Sequence, residues 1–290
     1  MADEIDKKDL VMSQKWLITG ASGGLGLSLA GHVLAQGHKL VATSRNPGSM
    51  SALAAQYPGQ LTPEALDLNS PAAIKAFAQK HPDVDVIVNN AGGAVIGAME
   101  EMTDADIEQQ LSLNLLAPIH LTRAFLPAMR ARKSGKMVYI TSIGGRTAFA
   151  GGSMYHAAKF GLAGFAETLA QEVAEFGIKT IIVEPGSIKS NFLGNTRWTT
   201  KSDAYQGTAV NQLRDYIAQS GEESISGDPV LMAKTIYDLT QQNNPPLRTV
   251  LGVDAFNVLQ GVYQKHLRGL EAQKDLALSV AIEGKTGFAG

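Results

Sequence analysis

Six short runs punctuate the chain: WLIT, KLVAT, VDVIVN, MVYIT, KTIIVE and TVLG, starting at Trp16, Lys39, Val84, Met137, Lys179 and Thr249. Each is apolar nearly throughout, so neither face of the strand it forms can be turned to water. Strands of this kind belong in a parallel sheet covered on both sides. The segments between them carry Ala- and Leu-rich helical spacing, clearest over 103–132 and 153–176. Strand and helix in alternation predict a doubly wound parallel α/β sheet, and 290 residues suffice for one such core. The expected domain runs over 15–278, without internal repeats.

Composition narrows the partners. A net charge of −2 gives no electrostatic reason to expect nucleic acid or an anionic membrane surface. There is no cysteine, which excludes disulfides and thiolate chemistry. No apolar run approaches the ~18 residues of a membrane span. The opening MADEIDKKDLVMSQK is polar and acidic and lacks an apolar signal core, so a cytoplasmic protein with a flexible stretch over 1–14 is expected.

After WLIT comes Gly20-Ala21-Ser22-Gly23-Gly24-Leu25-Gly26, then a helical pattern from about Leu27 to Gln36. Glycines between a first strand and a first helix let backbone approach a pyrophosphate resting on the helix N-terminus. The second strand ends at Ser44-Arg45-Asn46. A carboxylate for the ribose 2′-hydroxyl of NAD is expected about 20 residues beyond such a loop, yet no Asp or Glu lies between Asp9 and Glu64. Arg45 stands there instead, and a guanidinium pairs with a 2′-phosphate, which favours NADP(H) over NAD.

The stretch Ser142 to Lys159 gathers the chemistry. Tyr155 and Lys159 are four residues apart and share one helix face, and Ser142 closes the strand MVYI. An ammonium beside a phenol favours the phenolate, so Lys159 is expected to lower the Tyr155 pKa toward neutrality and make it a proton donor or acceptor. The alternative is a chance meeting of two surface side chains.

Taken together, these motifs resemble the short-chain dehydrogenase/reductase family over about Lys15 to Leu193. TGxxxGxG (Thr19, Gly20, Gly24, Gly26), NNAG (Asn89–Gly92), Asn114, Ser142, YxxxK and Pro185-Gly186 stand in family order. The resemblance implies a Rossmann-like domain and a residue-by-residue site. Gly20, Ser22, Gly24, Leu25 and Gly26 would hold the pyrophosphate, and Ser44 and Arg45 the 2′-phosphate. Asp67 and Leu68 would flank the adenine, with Asn89, Ala91 and Gly92 beside the ribose. Pro185, Gly186, Ile188 and Ser190 would form the nicotinamide side, with Ser190 where the family often has Thr. Ser142 would polarise a carbonyl, Tyr155 deliver the proton, and Lys159 grip the ribose and relay protons through a water held by Asn114. No metal enters this scheme; the six histidines show no ligand spacing. His156, on another helix face from Tyr155, is read as structural or as a pocket wall.

Beyond Gly186 less is legible. By resemblance, 187–227 is a substrate lid, and Phe192, Trp198 and Tyr205 point to a hydrophobic ketone, aldehyde or secondary alcohol, with further apolar walls from 93–99 and 143–149. Packing of two short helices is the alternative for these aromatics. Asp228 and Pro229 suit an N-cap and first helical position through about Gln241; RTVLGVDA reads as the last strand, 256–278 as helix, and 279–290 as a loose tail. The ending GDP…PP…LG-DA is similar to the hydroxysteroid-dehydrogenase-like branch of the family. The helices over 103–132 and 153–176 usually build a dimer in the family, so a homodimer or homotetramer is expected. The activity implied is an NADPH-dependent carbonyl reductase or alcohol dehydrogenase. A redox-silent NADP-binding sensor or scaffold, and an isomerase or cyclase without net cofactor turnover, remain as alternatives.

Overall fold

The computed structural model describes residues 13–220, 225–282 and 285. Residues 1–12 of the expected flexible stretch over 1–14, and most of the tail over 279–290, lie outside these residues. Ser13 and Gln14 are tied down: the Ser13 hydroxyl donates to Gly37 O, and Gln14 N–H donates to His38 Nδ1.

The first half of the chain folds as β1 (Lys15–Thr19), α1 (Gly24–Ala35), β2 (Lys39–Ser44), α2 (Ser51–Gln56), β3 (Leu61–Ala65), α3 (Pro71–Lys80), β4 (Val86–Asn89), β5 (Val95–Ile96), α4 (Asp104–Leu111) and α5 (Ala117–Arg132). The second half gives β6 (Gly135–Ile140), α6 (Ser153–Val173), β7 (Ile178–Pro185), β8 (Arg197–Trp198), α7 (Ala209–Ser220), α8 (Pro229–Gln241), β9 (Arg248–Leu251), α9 (Val253–Glu271) and α10 (Lys274–Leu278).

Seven strands form one sheet in the order β3-β2-β1-β4-β6-β7-β9, every neighbouring pair parallel. Strand order reverses between β1 and β4, the crevice where ligands bind in sheets of this kind. Neighbouring residues of each strand feed opposite faces. Trp16, Ile18, Val88, Val138, Ile181 and Val183 pack with α1 and α8, whereas Leu17, Ile87, Met137, Tyr139 and Ile182 pack with α3, α5 and α6. The doubly wound reading from apolar strands is therefore met on both sides of the sheet.

Four local features depart from the sequence reading. β3 is a seventh strand, at the sheet edge. It carries Pro63, is largely half-exposed, and so lacks the apolar run that marks a covered strand. The segment expected as helix over 103–132 is divided into α4 and α5 by a full π-turn at Ser112–Leu116, centred on Asn114, the residue at which the family resemblance implies a bend. The last strand ends at Leu251; Gly252, at φ 119°, turns the chain, and VDA opens α9 instead. That helix starts before 256 and ends at Glu271, and α10 carries helix on to Leu278 after a short break. Asp228 does cap α8, accepting from Val230 N (2.7 Å) and Leu231 N (3.2 Å) with Pro229 at the first position.

Candidate active site

The glycine turn is held from behind by β4's exit. Thr19 Oγ1 accepts from the N–H groups of Asn90 (3.1 Å) and Ala91 (3.0 Å), and Asn90 Nδ2 donates to Thr19 O (2.9 Å) and Gly20 O (3.1 Å). Gly20, at φ 66°, packs so closely that a Cβ would lie 2.9 Å from Ala91 Cα. A Cβ on Gly26 would overlap the Gly20 carbonyl oxygen and sit 2.5 Å from Asn90 Nδ2. α1 begins at Gly24 with no side-chain cap, so its first N–H groups face outward without a protein side-chain partner. Ser190, from the lid, lies against the same turn: a Cβ on Gly24 would meet Ser190 Cβ at 3.1 Å.

At the end of β2, Ser44 is half-buried and Arg45 exposed, without an ion pair among the described residues. Asp67, exposed, accepts from Asn69 N–H (2.9 Å) and so shapes the turn after β3, while Leu68 packs on the core below. Asn89 is buried and spends its amide on Val138 O (3.4 Å), bracing the sheet. Ser22 and Leu25 belong to the turn and to the first turn of α1, Leu25 with its side chain in the core.

Ser142, Tyr155, Lys159 and Asn114 converge at the carboxyl edge of the sheet. Ser142 follows β6, and its Oγ accepts from Gly144 N–H (3.0 Å), leaving its own proton free to donate. On α6, Lys159 is buried, its Nζ donating to Ile140 O (3.0 Å) and lying 5.9 Å from the centre of the Tyr155 ring. Asn114 Oδ1 accepts from Gly93 N–H (3.2 Å), and its Nδ2 donates to Gly93 O (3.0 Å) and Gln110 O (3.1 Å). Both amide hydrogens are spent and one oxygen lone pair remains. Gly92 sits between Asn114 and Lys159: a Cβ there would be 2.9 Å from Asn114 Oδ1 and 3.7 Å from Lys159 Nζ. The four residues singled out in the sequence thus surround one small volume.

Electrostatics correct one expectation. Burial pushes the Tyr155 phenol up, partly offset by the Ser142 hydroxyl, and the Lys159 ammonium does not reverse the direction. Burial instead lowers Lys159 to about 8. Desolvation penalises both charged forms more than the pair stabilises the phenolate, so the protein alone keeps Tyr155 protonated.

His156 is structural. Its Nδ1 pairs with Gly144 O (2.8 Å), its Nε2 accepts from Phe149 N–H (3.1 Å), and burial lowers its pKa. It staples the 144–149 loop beside Tyr155. The Phe192 ring meets the Tyr155 ring at 6.4 Å and 62°, Phe149 packs edge-on against His156, and Met99 Sδ lies against Ser153 Oγ; these three side chains and Leu193 are apolar and exposed. The segment after β7 contains β8, which pairs with β5, and α7; Ile188 bridges to Gly227.

A family model described as short chain dehydrogenase matches residues 14–201. The chain belongs to the short-chain dehydrogenase family. It is 35% identical over 250 residues to "Oxidoreductase BOA17" of Botryotinia fuckeliana, covering 84% of this chain and 90% of that one. Among solved structures, a short-chain dehydrogenase from Streptomyces avermitilis superposes with a TM-score of 0.87 at 35% identity, over 93% of this chain and 99% of that chain. A metagenomic short-chain oxidoreductase in complex with NADP gives a TM-score of 0.66 at 27% identity, over 82% and 96%.

This short-chain dehydrogenase also has site residues that sequence reasoning missed. Buried Glu184, on β7 just before Pro185, takes Arg146 (2.7 Å) and Arg248 (2.8 Å), and Arg146 also reaches the Tyr263 hydroxyl on α9. A carboxylate closing an apolar strand was the signal available. Asp254, read as strand, instead accepts from Ser187 N–H (2.7 Å), and a Cβ on Gly186 would overlap its carboxylate. It fixes the exit of Pro185-Gly186 into the lid.

Proposed function

We propose that this chain is an NADPH-dependent carbonyl reductase, or alcohol dehydrogenase in reverse, acting on a hydrophobic ketone, aldehyde or secondary alcohol. One observation carries the reading: the Lys159 ammonium is 6% exposed, its only hydrogen-bond partner among the described residues is a main-chain carbonyl, and it lies beside Tyr155. A buried cation with no carboxylate destabilises the fold, and such groups persist where function uses them.

The residues fit the cofactor. Only glycine is accommodated at Gly20 and Gly26, and the uncapped start of α1 offers N–H groups to a pyrophosphate. Ser22, Gly24 and Leu25 complete that cradle, and half-buried Ser44 with exposed Arg45 would suit a 2′-phosphate. Asp67 and Leu68 would flank the adenine; Asn89, Ala91 and Gly92 the ribose; Pro185, Gly186, Ile188 and Ser190 the nicotinamide. The NADP-bound relative among the solved structures supports the same assignment. Bound nicotinamide supplies the hydride in reduction and accepts it in oxidation.

The chain's own residues handle the proton. As the substrate carbonyl carbon gains a hydride, the Ser142 hydroxyl donates a hydrogen bond to the oxygen and the Tyr155 phenol gives it a proton. A donor aimed at such developing charge is worth about 3 kcal/mol. Lys159, nearby, stabilises the phenolate left behind and restores its proton, with a water at the remaining Asn114 lone pair leading outward. Met99, Phe149, Phe192 and Leu193 select an apolar substrate. The same reading has the enzyme work in the cytoplasm as a homodimer or homotetramer, and exposed Phe160 on α6, with Leu116 in the turn before α5 and Phe176 in the turn after α6, supports the dimer.

The test is turnover of NADPH and NADH against hydrophobic ketones and aldehydes, with product counted against cofactor. One NADPH consumed per alcohol formed, a fall in kcat of about 10³-fold in Tyr155→Phe with NADPH affinity kept, and an NADPH preference cut about tenfold in Arg45→Ala are expected. Product without net NADPH consumption would replace the reductase with an isomerase; tight NADPH binding without any product would leave a sensor.

A further inference from the structure

Arg146 stands four residues beyond Ser142, across one tight turn. Gly145 N–H donates to Ser142 O (2.9 Å), Arg146 N–H to Ile143 O (2.8 Å) and Thr147 N–H to Ile143 O (3.0 Å). The turn has no slack against α6. A Cβ on Gly144 would meet the Tyr155 ring at 3.0 Å, and one on Gly145 would lie 2.9 Å from Lys159 O. Moving the turn therefore moves Ser142 relative to both Tyr155 and Lys159. At the far end, the Arg146 guanidinium grips Glu184 with two prongs, Nε to Oε1 (2.7 Å) and Nη2 to Oε2 (3.3 Å). Glu184 is wholly buried and is followed directly by Pro185 and Gly186. A two-pronged guanidinium–carboxylate pair fixes orientation as well as distance.

The neighbouring charges single out Arg146 as the partner of Glu184. Arg248 on β9 also reaches Glu184 Oε1 (2.8 Å), but its other Nη donates to Glu167 on α6 (2.6 Å). Two acids thus answer two guanidiniums. On its outer side Arg146 donates to the Tyr263 hydroxyl of α9 and lies 5.5 Å from that ring's centre. A buried ion pair is a poor source of stability, because desolvation offsets its attraction. What this pair does supply is a set distance between the Ser142 turn and the end of β7.

We propose that Arg146 is a positioning residue: held by Glu184, it sets the Ser142 hydroxyl for the reacting carbonyl. The proposal rests on the reductase reading above, which puts the Pro185-Gly186 end of β7 beside the nicotinamide. Ser142 Oγ accepts from Gly144 N–H (3.0 Å), so the direction of the hydroxyl follows the turn. His156 holds that turn from α6 through Gly144 O (2.8 Å). The turn accordingly has one anchor on the helix of Tyr155 and a second on the strand leading to the nicotinamide. Removing Arg146 keeps the first anchor and releases the second. Misplacing such a group by about 1 Å costs up to ~10²-fold in rate, and with one anchor kept a loss of about tenfold is expected.

The experiment is a double-mutant cycle of Arg146→Met with Ser142→Ala, read in kcat for a hydrophobic ketone and in NADPH affinity by fluorescence titration. Arg146→Met leaves Glu184 paired with Arg248, so NADPH affinity should stay within about twofold of wild type. With Ser142 present, kcat should fall about tenfold; in Ser142→Ala, with no hydroxyl to misplace, it should fall less than about twofold. A merely structural role would lower kcat by the same factor in both. Arg146→Lys keeps a cation beside Glu184 without the fork, and its kcat should lie within about threefold of Arg146→Met. It runs the same cycle should the methionine variant not fold. Amide exchange over 142–149 in the cofactor-free protein reads the turn without turnover, and should quicken about tenfold in either variant.

Equal losses in both backgrounds, full recovery by lysine, or unchanged exchange over 142–149 would each overturn the proposal. Should the wild-type protein reduce no ketone, the reductase reading falls, and the exchange over 142–149 still decides whether Arg146 holds the turn. Reduction with independent Arg146 and Ser142 effects would keep the reductase and remove the positioning role.

Discussion

The glycine-turn end of the molecule is held together by backbone, whereas the segment carrying β8 and α7 is held by side-chain charge. Around the glycine turn, Gly20, Gly26, Ala91 and the Thr19–Asn90 clamp interlock so tightly that a single added methyl collides with main chain. In the lid, β8 and α7 are fastened by Glu101 with Arg214, Thr199 and Ser202, and by buried Asp106 with Arg197. The first arrangement tolerates almost no substitution and fits one kind of ligand. The second is a set of exchangeable anchors around a variable lining, which suits a scaffold whose cofactor stays constant while its substrate differs.

The largest break in this contrast is expected from Gly26→Val. Its side chain has no room between Gly20 O and Asn90, so NADPH affinity should fall about a hundredfold in a fluorescence titration. Hydrogen exchange in the lid should stay unchanged. The converse variant is Glu101→Gln, which leaves Arg214 buried beside a neutral amide and should loosen β8 and α7 locally by about 2–4 kcal/mol, read as faster amide exchange over 196–220. NADPH binding should hold. This contrast has a pH signature. Burial works to raise the Glu101 pKa, but the Thr199, Ser202 and Ala98 hydrogen bonds and the Arg214 charge outweigh it and hold it at about 2, against an ordinary 4.5. The lid's extra protection is therefore complete above pH 4.5 and is lost as pH falls from there toward 2; protection that persists unchanged at pH 3 would break the assignment.

The smallest effect joins the two ends. Lys159 has a folded-state pKa lowered by burial from 10.5 to about 8, so the unfolded chain holds that proton more tightly. The cost to the cofactor-free protein is full below pH 8 and fades as pH rises toward 10.5. Lys159→Met should stabilise that protein by about 1–3 kcal/mol at pH 7 while removing turnover, and its advantage in Tm should shrink over that window. A Tm gap that stays constant to pH 10 would contradict the burial of an unpaired ammonium.

What could be read from the sequence follows the same division. The sheet, the glycine turn and the Tyr155–Lys159 pair were legible because each depends on local spacing: apolar runs, glycines where Cβ cannot fit, and side chains one helical turn apart; Asn114 and the grouping with Ser142 came from the family resemblance, since spacing alone makes Asn114 a cap or kink residue. β3 left no apolar run because an edge strand needs none, and the α4–α5 break left no periodicity signal because a π-turn keeps the apolar period nearly intact; only the family resemblance implied a strand before Asp67 and a bend at Asn114. The Tyr155 pKa direction was misjudged because spacing reveals the neighbouring ammonium but not the depth of burial. Glu101–Arg214, 113 residues apart, and Asp254 under Gly186 are pairings made by the tertiary fold, and no local pattern announces them.

The most direct test uses NADPH deuterated on the face of the nicotinamide that the enzyme uses, incubated with wild-type protein and a hydrophobic ketone, with the product alcohol read by mass spectrometry and NMR. The expected result is one deuterium on the carbinol carbon of a single enantiomer, absent in Tyr155→Phe. Tight binding of either labelled NADPH epimer across the ketone panel, with no deuterium in any alcohol, would contradict hydride transfer at this site.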